Sequence, residues 1–537
     1  MEPPTPTPDV SVGSGINDVG GFPLLHRRAS VPSPLPSITE SKFPYPVNSN
    51  PEKYQETPKE LEEIPLFTYL TTYLSYGILL LIGKVLDKVG SMVNPKKYAF
   101  LLEQDGLAPV VDPIESMYTR RMYYRIRDCF SRPVTGVPGR SIAVMNRTTT
   151  DYNKTFQYNG KATTVLNLSS YNYLGFAQAK GSCADAVEDR VSKIGNAFSS
   201  PRMDGGTSAL HREVEVCTAG FVGTEDAMVV SMGYATNSTT LPALVGKGCL
   251  LISDSLNHAS LVAGARLSGA SIRVFKHNDI GHLESILRRS ISQGQPKTGR
   301  AWKKVLVVVE GLYSMEGDFC DLPRIVDLKD KYKFYLYLDE AHSVGAMGPS
   351  GRGMCDYFGI PPSKIDILMG TFTKSFGAAG GYIAGSRALI QHLRIHSHSS
   401  IYAEPVSIPV LQQSLTSLRT IAGLEGGNEG KERLDRLAEN TQYFRKRLTD
   451  LGFILYGQKD SPIIPLLLFQ YGKLASFSRE CLALGIAVVV VSYPATPIIT
   501  ARARFCVSAS HTREDLDKAL DIISEAGDRQ RLKLMSS

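Results

Sequence analysis

The chain has 537 residues, of which 43% are hydrophobic and 21% are charged. This length predicts two or more packed domains, and the ordinary composition disfavours a disordered, collagen-like or multi-span membrane protein. The net charge of +7 is dilute and no basic run with interleaved aromatic residues is present, so nucleic-acid binding is not expected. The cysteines are scattered singly without metal-ligand spacing, which indicates reduced thiols in a cytosolic environment.

The N-terminal part contains a polar tail and one apolar segment. Residues 1–50 are rich in Pro, Ser and Thr, which predicts a disordered tail and no signal peptide. Residues 64–83 carry no charge and, as a helix, would just cover a hydrocarbon core of about 30 Å. Because Tyr69, Tyr73 and Tyr76 make the segment less apolar than a typical span, a spanning helix and an interfacial helix both remain open. Acidic residues precede the segment and lysines follow it, which predicts that the larger, C-terminal part of the chain lies in the cytosol.

Two further regions follow a connecting segment, 84–159, and together predict an α/β fold. In residues 160–424, short β-branched runs such as TTVLNL, VLVVVE and FYLYLD alternate with helix-length stretches. This alternation predicts a large domain with a buried, mostly parallel sheet and helices on both faces. Residues 425–537 contain a polar helix, the apolar runs PIIPLLLF, IAVVVV and ARFCVS, and a last helix capped by Thr512, which predicts a smaller α/β domain.

The strongest chemical signal is GTFTKSFGAAGGY, which begins at Gly370 directly after the apolar residues Ile367 to Met369. Hydroxyls and glycine N–H groups at the end of a strand suit a phosphate group. Lys374, in the middle of this motif, could form a Schiff base with an aldehyde once burial lowers its pKa. For an isolated Thr-Lys-Ser sequence, a solvated lysine in a turn is the simpler interpretation.

Other predicted strand exits carry residues that complement a pyridine ring. Asp339 could accept the proton of a ring nitrogen, and His342 could contact the phenolic oxygen of the same ring. His258, in ISDSLNHASL, has a flat imidazole that could stack on the ring, and Gly233 and Tyr234 begin a helix whose N–H groups could hold phosphate. Each residue alone has a structural explanation, but the set at one sheet edge predicts pyridoxal 5'-phosphate as cofactor.

These segments, with YLDEAHSVGAMGPSGRG and VEGLYSMEGD, resemble the α-oxoamine synthases over about residues 110 to 530. These are fold-type I pyridoxal-phosphate enzymes, which join an amino acid to an acyl-CoA. The segments YPATPIITARARFC and YTRRMYYRIRDCFSRPVTGVPG, together with the apolar N-terminal stretch, make the chain most similar to the lysine-bearing members that form long-chain bases. The resemblance implies a large cofactor domain and a smaller C-terminal domain.

The resemblance also implies roles for individual residues. Lys374 would be the Schiff-base lysine, Asp339 the pyridinium partner, His342 the O3' contact and His258 the ring-stacking residue, whereas Thr371, Gly233 and Tyr234 would hold phosphate. Arg504 would bind the amino-acid carboxylate, and Asn172 and Ser314 would lie near the substrate and the ring. Tyr402 to Pro405 read YAEP where such members commonly read YATS, and Glu404 would repel a phosphate group there.

The implied reaction is the condensation of L-serine with palmitoyl-CoA to 3-ketodihydrosphingosine, CO2 and CoA. The implied partner is a related long-chain-base subunit that lacks the lysine, and the implied location is the endoplasmic reticulum membrane with the catalytic domain in the cytosol. Two alternatives remain open: another α-oxoamine synthase that uses glycine or alanine with a different acyl-CoA, and a non-catalytic subunit of the same fold.

Overall fold

The structure is a computed structural model that describes residues 64–103, 106–109 and 111–534. The predicted tail, 1–50, and the acidic residues at 56–63 lie outside the described residues. The α-helices are α1 (Leu66–Val93), α2 (Pro95–Tyr98), α3 (Pro113–Tyr118), α4 (Tyr124–Ile126), α5 (Ser182–Ile194), α6 (Ala209–Val222), α7 (Gly233–Leu244), α8 (Ala259–Ser268), α9 (Ile280–Gln293), α10 (Leu322–Tyr332), α11 (Met354–Phe358), α12 (Arg387–His396), α13 (His398–Ile401), α14 (Ile408–Ile421), α15 (Glu429–Asp450), α16 (Tyr471–Ala483) and α17 (Arg513–Arg529).

The strands are β1 (Val134–Thr135), β2 (Ser141–Thr148), β3 (Gln157–Asn167), β4 (Asp226–Val230), β5 (Leu250–Asp254), β6 (Ser271–Phe275), β7 (Val305–Glu310), β8 (Tyr335–Asp339), β9 (Ile367–Thr371), β10 (Gly381–Gly385), β11 (Ile463–Leu467), β12 (Ile486–Ala487), β13 (Val489–Val491) and β14 (Arg502–Cys506). They form a seven-stranded sheet in the order β4-β10-β9-β8-β7-β5-β6, a four-stranded sheet, β1-β2-β3-β12, and a three-stranded sheet, β11-β14-β13.

The seven-stranded sheet is parallel except for β10, which runs antiparallel to both β4 and β9. Alternate side chains of β7 enter different cores: Leu306 and Val308 pack with α7, α8 and α12, whereas Val307 and Val309 pack with α6, α9, α10 and α14. This period of two explains why the strands are apolar throughout, since both faces are covered by helices. The predicted α/β fold with a mostly parallel sheet is confirmed.

One predicted strand lies in a different sheet. The run TTVLNL, at 163–168, was expected in the parallel sheet, but it ends β3, which pairs antiparallel with β2 and parallel with β12. Most of β3 is exposed and only its C-terminal end is buried. The apolar residues of the TTVLNL run therefore belong to the buried end of a longer strand. A short run of this kind does not reveal its partner strand.

The C-terminal part surrounds the three-stranded sheet with α15, α16 and α17, which share one apolar core. The IAVVVV run is divided between β12, which pairs with β3, and β13, which pairs with β14. The predicted cap of the last helix is confirmed, because Thr512 and Asp515 form a reciprocal capping box. The domain boundaries at 160 and 425 stay predictions.

Helix α1 begins at Leu66, near the predicted start, but continues ten residues beyond the predicted end at 83. It is the one helix in the described part of the chain that is long and apolar enough to cross a membrane. Asp87, one of the charged residues that follow the apolar segment, lies within the helix. It forms ion pairs with Arg120 at 2.5 Å and with Arg121 at 2.8 Å.

Candidate active site

Lys374 lies three residues beyond the end of β9, in a cleft of about 610 Å³ that Tyr171 and Asn172 also line. Within the described residues, the Lys374 Nζ atom donates no hydrogen bond to another side chain or carbonyl. Burial lowers the pKa of this amine to about 8, with the Arg504 charge acting in the same direction and nearby carboxylates opposing it. The amine is therefore placed to react as a nucleophile near neutral pH.

Asp339 is the last residue of β8, between β7 and β9 at the centre of the sheet. Its side chain is buried, and its Oδ2 atom accepts a hydrogen bond from Asn237 Nδ2 at 2.7 Å. Its Oδ1 atom accepts from the Ala341 backbone N–H at 2.9 Å. A buried carboxylate needs hydrogen-bond partners, and these two donors hold its orientation, which suits the predicted partner of a pyridinium nitrogen.

The two predicted histidines stand on either side of Asp339 in the chain. His258 caps α8, and its Nδ1 atom accepts a hydrogen bond from the Ser260 backbone N–H at 3.2 Å. His342 is buried, and its Nδ1 atom forms a 2.9 Å hydrogen bond with the Tyr173 hydroxyl. Burial lowers the pKa of both rings; the Lys374 charge acts in the same direction, and the Asp339 charge opposes the shift only at His258. Both imidazoles are therefore neutral at physiological pH.

The predicted phosphate cradle lies where α7 begins beside the end of β9. A Cβ atom built on Gly233 would lie 2.9 Å from Thr371 Oγ1, so only glycine leaves this space open. The Thr371 hydroxyl donates to the Gly380 carbonyl at 2.8 Å. Tyr234, the next residue, is half-exposed, with its ring 6.1 Å from that of His258. Among the described residues no side chain caps the start of α7, so its first N–H groups fit an anionic group.

Arg504, on β14 in the C-terminal part of the chain, packs against Tyr171, which lines the cleft. Its guanidinium lies 4.7 Å from the Tyr171 ring centroid, and Lys374 Nζ lies 5.9 Å from that same ring. Its Nη1 atom donates to the Ser314 carbonyl at 3.3 Å, whereas its buried Nε atom has no hydrogen-bond partner among the described residues. An unpaired buried N–H of a guanidinium is suited to a carboxylate ligand.

Asn172 lines the cleft, whereas Ser314 lies beside Arg504. Asn172 holds its own loop, because its amide nitrogen donates to the Pro138 carbonyl at 3.0 Å and its Oδ1 atom accepts from the Ala177 N–H at 3.2 Å. Ser314 is buried, and its backbone carbonyl rather than its hydroxyl accepts from Arg504. The roles assigned to these two residues near the substrate stay predictions.

Sequence reasoning missed Tyr171, Tyr173 and Glu310. The Tyr171 ring is shared by Lys374 and Arg504, and Tyr173 holds His342. Both tyrosines flank Asn172 in an irregular loop, where no periodicity marks them. Glu310 ends β7 directly opposite Asp339. The sequence does signal Glu310, because it is the only charged residue in the apolar run VLVVVE.

The residues present fit pyridoxal phosphate, because a buried amine, a buried carboxylate and an open helix start at Gly233 lie at one edge of the seven-stranded sheet. The Arg504 guanidinium, on the three-stranded sheet, approaches the Tyr171 ring that Lys374 also approaches. The fold and the site define a pyridoxal-phosphate-dependent enzyme. The family described as Aminotransferase class I and II matches residues 163–523.

More similar relatives narrow this class. Serine palmitoyltransferase 2 of Schizosaccharomyces pombe is 52% identical over 88% of this chain and 79% of its own length. Serine palmitoyltransferase 3 of Homo sapiens is 49% identical over 90% of this chain and 89% of its own length. A solved structure of SPT with its PLP internal aldimine is 28% identical, with a TM-score of 0.68 over 78% of this chain and 98% of that chain. The chain belongs to the serine palmitoyltransferase family, and it is an acyltransferase that uses pyridoxal phosphate.

Proposed function

We propose that this chain is the lysine-bearing, catalytic subunit of a serine palmitoyltransferase, which condenses L-serine with palmitoyl-CoA to 3-ketodihydrosphingosine, CO2 and CoA. One observation carries the catalytic role: Lys374 and Arg504 approach the same Tyr171 ring, at 5.9 Å and 4.7 Å from its centroid. A supporting subunit would need neither a depressed lysine pKa nor a buried guanidinium with an unpaired N–H.

The amino acid is oriented before its bonds are broken. Arg504 binds the serine carboxylate, because its planar guanidinium can donate two parallel hydrogen bonds and its Nε atom is free to do so. Lys374, whose pKa is about 8, accepts or returns a proton at Nζ near neutral pH. The cofactor, when bound, supplies an electron sink for the α-carbon of the amino acid.

The remaining residues keep that electron sink in its reactive form. Asp339 holds a proton at the ring nitrogen, since its carboxylate is stabilised by Asn237 and the Ala341 N–H. With the cofactor bound, His258 would cover one face of the ring as a neutral imidazole, and His342 would contact the O3' atom. Thr371 and the Gly233–Tyr234 turn hold the phosphate group.

The membrane helix contacts the body of the protein along one side. Thr72 and Tyr76 are buried, and the Tyr76 ring packs 5.9 Å from that of Tyr471. About two turns further on, a Cβ atom on Gly83 would lie 3.3 Å from Met117 Sδ, and Asp87 forms its ion pairs about one turn beyond Gly83. From Thr72 to Asp87, this contact extends about 22 Å along the helix axis.

We infer that α1 is interfacial rather than spanning. The side of α1 away from these contacts exposes large apolar residues, among them Leu70, Leu74, Ile78, Leu81 and Val85. A helix that spanned the bilayer would carry its protein contacts, including two arginines, into the hydrocarbon core, at a high free-energy cost. A helix in the membrane plane immerses its apolar side and keeps these contacts outside.

The location and the partner are part of the same proposal. An anchored body suits a long-chain acyl donor and a product with an aliphatic tail, since both partition into lipid. The eight cysteines are all buried and unpaired, which agrees with a cytosolic face of the endoplasmic reticulum. The proposed partner is the related long-chain-base subunit that lacks the lysine; Glu404, which is exposed, would then face this partner's side of the site.

Product identification tests the proposed reaction. Membranes that contain the chain and its partner are supplied with labelled L-serine and acyl-CoAs of several lengths. We expect labelled 3-ketodihydrosphingosine with palmitoyl-CoA; incorporation of glycine or alanine instead of serine would support the alternative oxoamine synthase. Full activity of the chain purified alone would contradict the proposed heterodimer.

A further inference from the structure

A continuous chain of buried hydrogen bonds links the predicted pyridinium partner to the predicted ring-stacking histidine. The Asn237 amide nitrogen donates to Asp339 Oδ2 at 2.7 Å and to Ser260 Oγ at 3.0 Å. Ser260 Oγ lies 2.8 Å from His258 Nδ1. Asn237, Ser260 and Asp339 are all almost fully buried, so water does not compete for these contacts.

The directions of these bonds are fixed by groups that can act in only one way. The backbone N–H of Ser260 can only donate, and it points at His258 Nδ1 at 3.2 Å. Nδ1 therefore carries a lone pair, and the ring proton of the neutral imidazole sits on Nε2. The Ser260 hydroxyl then donates to Nδ1 and accepts from Asn237.

The Asn237 amide is oriented by the same reasoning. An ionised Asp339 can only accept, so the NH2 group of Asn237 must face it. The Tyr337 hydroxyl donates to Asn237 Oδ1 at 2.7 Å, which holds the amide in that orientation. Three partners on two elements, β8 and α8, therefore specify one arrangement of the Asn237 side chain.

We propose that Asn237 and Ser260 are positioning residues that hold the Asp339 carboxylate toward the cofactor nitrogen and fix His258 as the Nε2–H tautomer. The proposal rests on the proposed function, because it assumes that pyridoxal phosphate binds between Asp339 and His258. Neither residue touches the reacting atoms; both act through their neighbours. His258 thus presents a hydrogen-bond donor, not a base, to the cofactor side of the site.

Removal of the Asn237 amide tests whether this residue positions the Asp339 carboxylate. Asn237→Ala takes from Asp339 one of its two donors and breaks the link to Ser260, and we expect the affinity for pyridoxal phosphate to fall about tenfold. Asn440→Ala is the matched control, because the buried Asn440 amide also donates twice, to the Ser508 and His511 carbonyls at 3.2 Å and 2.9 Å. Both variants should lower the melting temperature.

The affinity for pyridoxal phosphate, measured by fluorescence titration of the full-length apoenzyme, separates positioning from folding. The proposal predicts a loss for Asn237→Ala with an affinity within twofold of wild type for Asn440→Ala. Equal melting losses with no change in either affinity would overturn it. Ser260→Ala leaves the backbone N–H on His258 Nδ1 and removes the hydroxyl, so a smaller loss of about fivefold is expected; an unchanged affinity would exclude Ser260.

The histidine tautomer provides a readout that a purely structural role would not move. In holoenzyme labelled with 15N-histidine, with His258 assigned by its absence in His258→Gln, we expect a bare Nδ1 and a protonated Nε2. A protonated Nδ1 would overturn the proposal that Ser260 fixes His258 as the Nε2–H tautomer. Wild-type enzyme that binds no pyridoxal phosphate would instead refute the proposed function, so the two failures are distinguishable.

Discussion

The substitution Gly233→Ala tests the phosphate cradle directly. The added Cβ atom would lie 2.9 Å from Thr371 Oγ1, which is shorter than an ordinary van der Waals contact. Thr371 cannot rotate away freely, because its hydroxyl is bonded to the Gly380 carbonyl and to Thr373 Oγ1, both at 2.8 Å. We expect the displaced cradle to lose one or two hydrogen bonds to the phosphate group, worth about 1 kcal/mol each, which corresponds to a roughly 5- to 30-fold weaker affinity for pyridoxal phosphate.

Fluorescence titration of apoenzyme with pyridoxal phosphate measures this affinity, and Gly472→Ala supplies the control. Gly472 also lies near the start of a helix, but a Cβ atom there would meet nothing within 4 Å. We expect it to bind the cofactor as wild type does and to be slightly more stable, by up to about 1 kcal/mol. Equal cofactor affinities for the two variants would refute the assignment of the cradle.

Four further results are expected. Because burial lowers the pKa of Lys374 to about 8, pyridoxal phosphate should bind the apoenzyme faster as pH rises to about 8, where the amine becomes neutral, and then level off; a rise that continues to pH 10 would contradict this. Asp339→Asn should weaken cofactor affinity at least about tenfold, and unchanged titration would exclude it as the ring partner. Arg504→Lys should raise KM for serine about tenfold with KM for acyl-CoA unchanged; a rise in both would indicate a general disruption. Leu66→Cys and Val93→Cys in sealed microsomes should both react with an impermeant maleimide, whereas reaction at only one end would indicate a spanning helix.

The strand exits explain why much of the site could be predicted from the sequence. Lys374, Asp339 and His258 each follow a short apolar run, and the ends of parallel strands converge on one edge. Their placement therefore required only local pattern and one general rule of α/β folds. Thr371 and Gly233 followed in the same way, since both stand at a strand end or a helix start.

Other features depend on contacts between distant parts of the chain. Tyr171 and Tyr173 lie in an irregular loop, and their positions beside Lys374 and His342 result from tertiary packing. The end of α1 was misplaced because a charge normally ends an apolar segment, but Asp87 is neutralised by arginines more than thirty residues away. The β3 error has the same origin, since strand pairing is not encoded in a six-residue run.

Lys374 is the proposed Schiff-base lysine, and borohydride reduction of the holoenzyme tests this role. The holoenzyme with its partner is reduced with borohydride and digested, and the peptides are analysed by mass spectrometry, beside an assay of labelled serine incorporation by wild type and Lys374→Ala. We expect a pyridoxyl group on Lys374 alone and loss of product in the variant. A pyridoxyl group on another lysine, or full activity of Lys374→Ala, would contradict it.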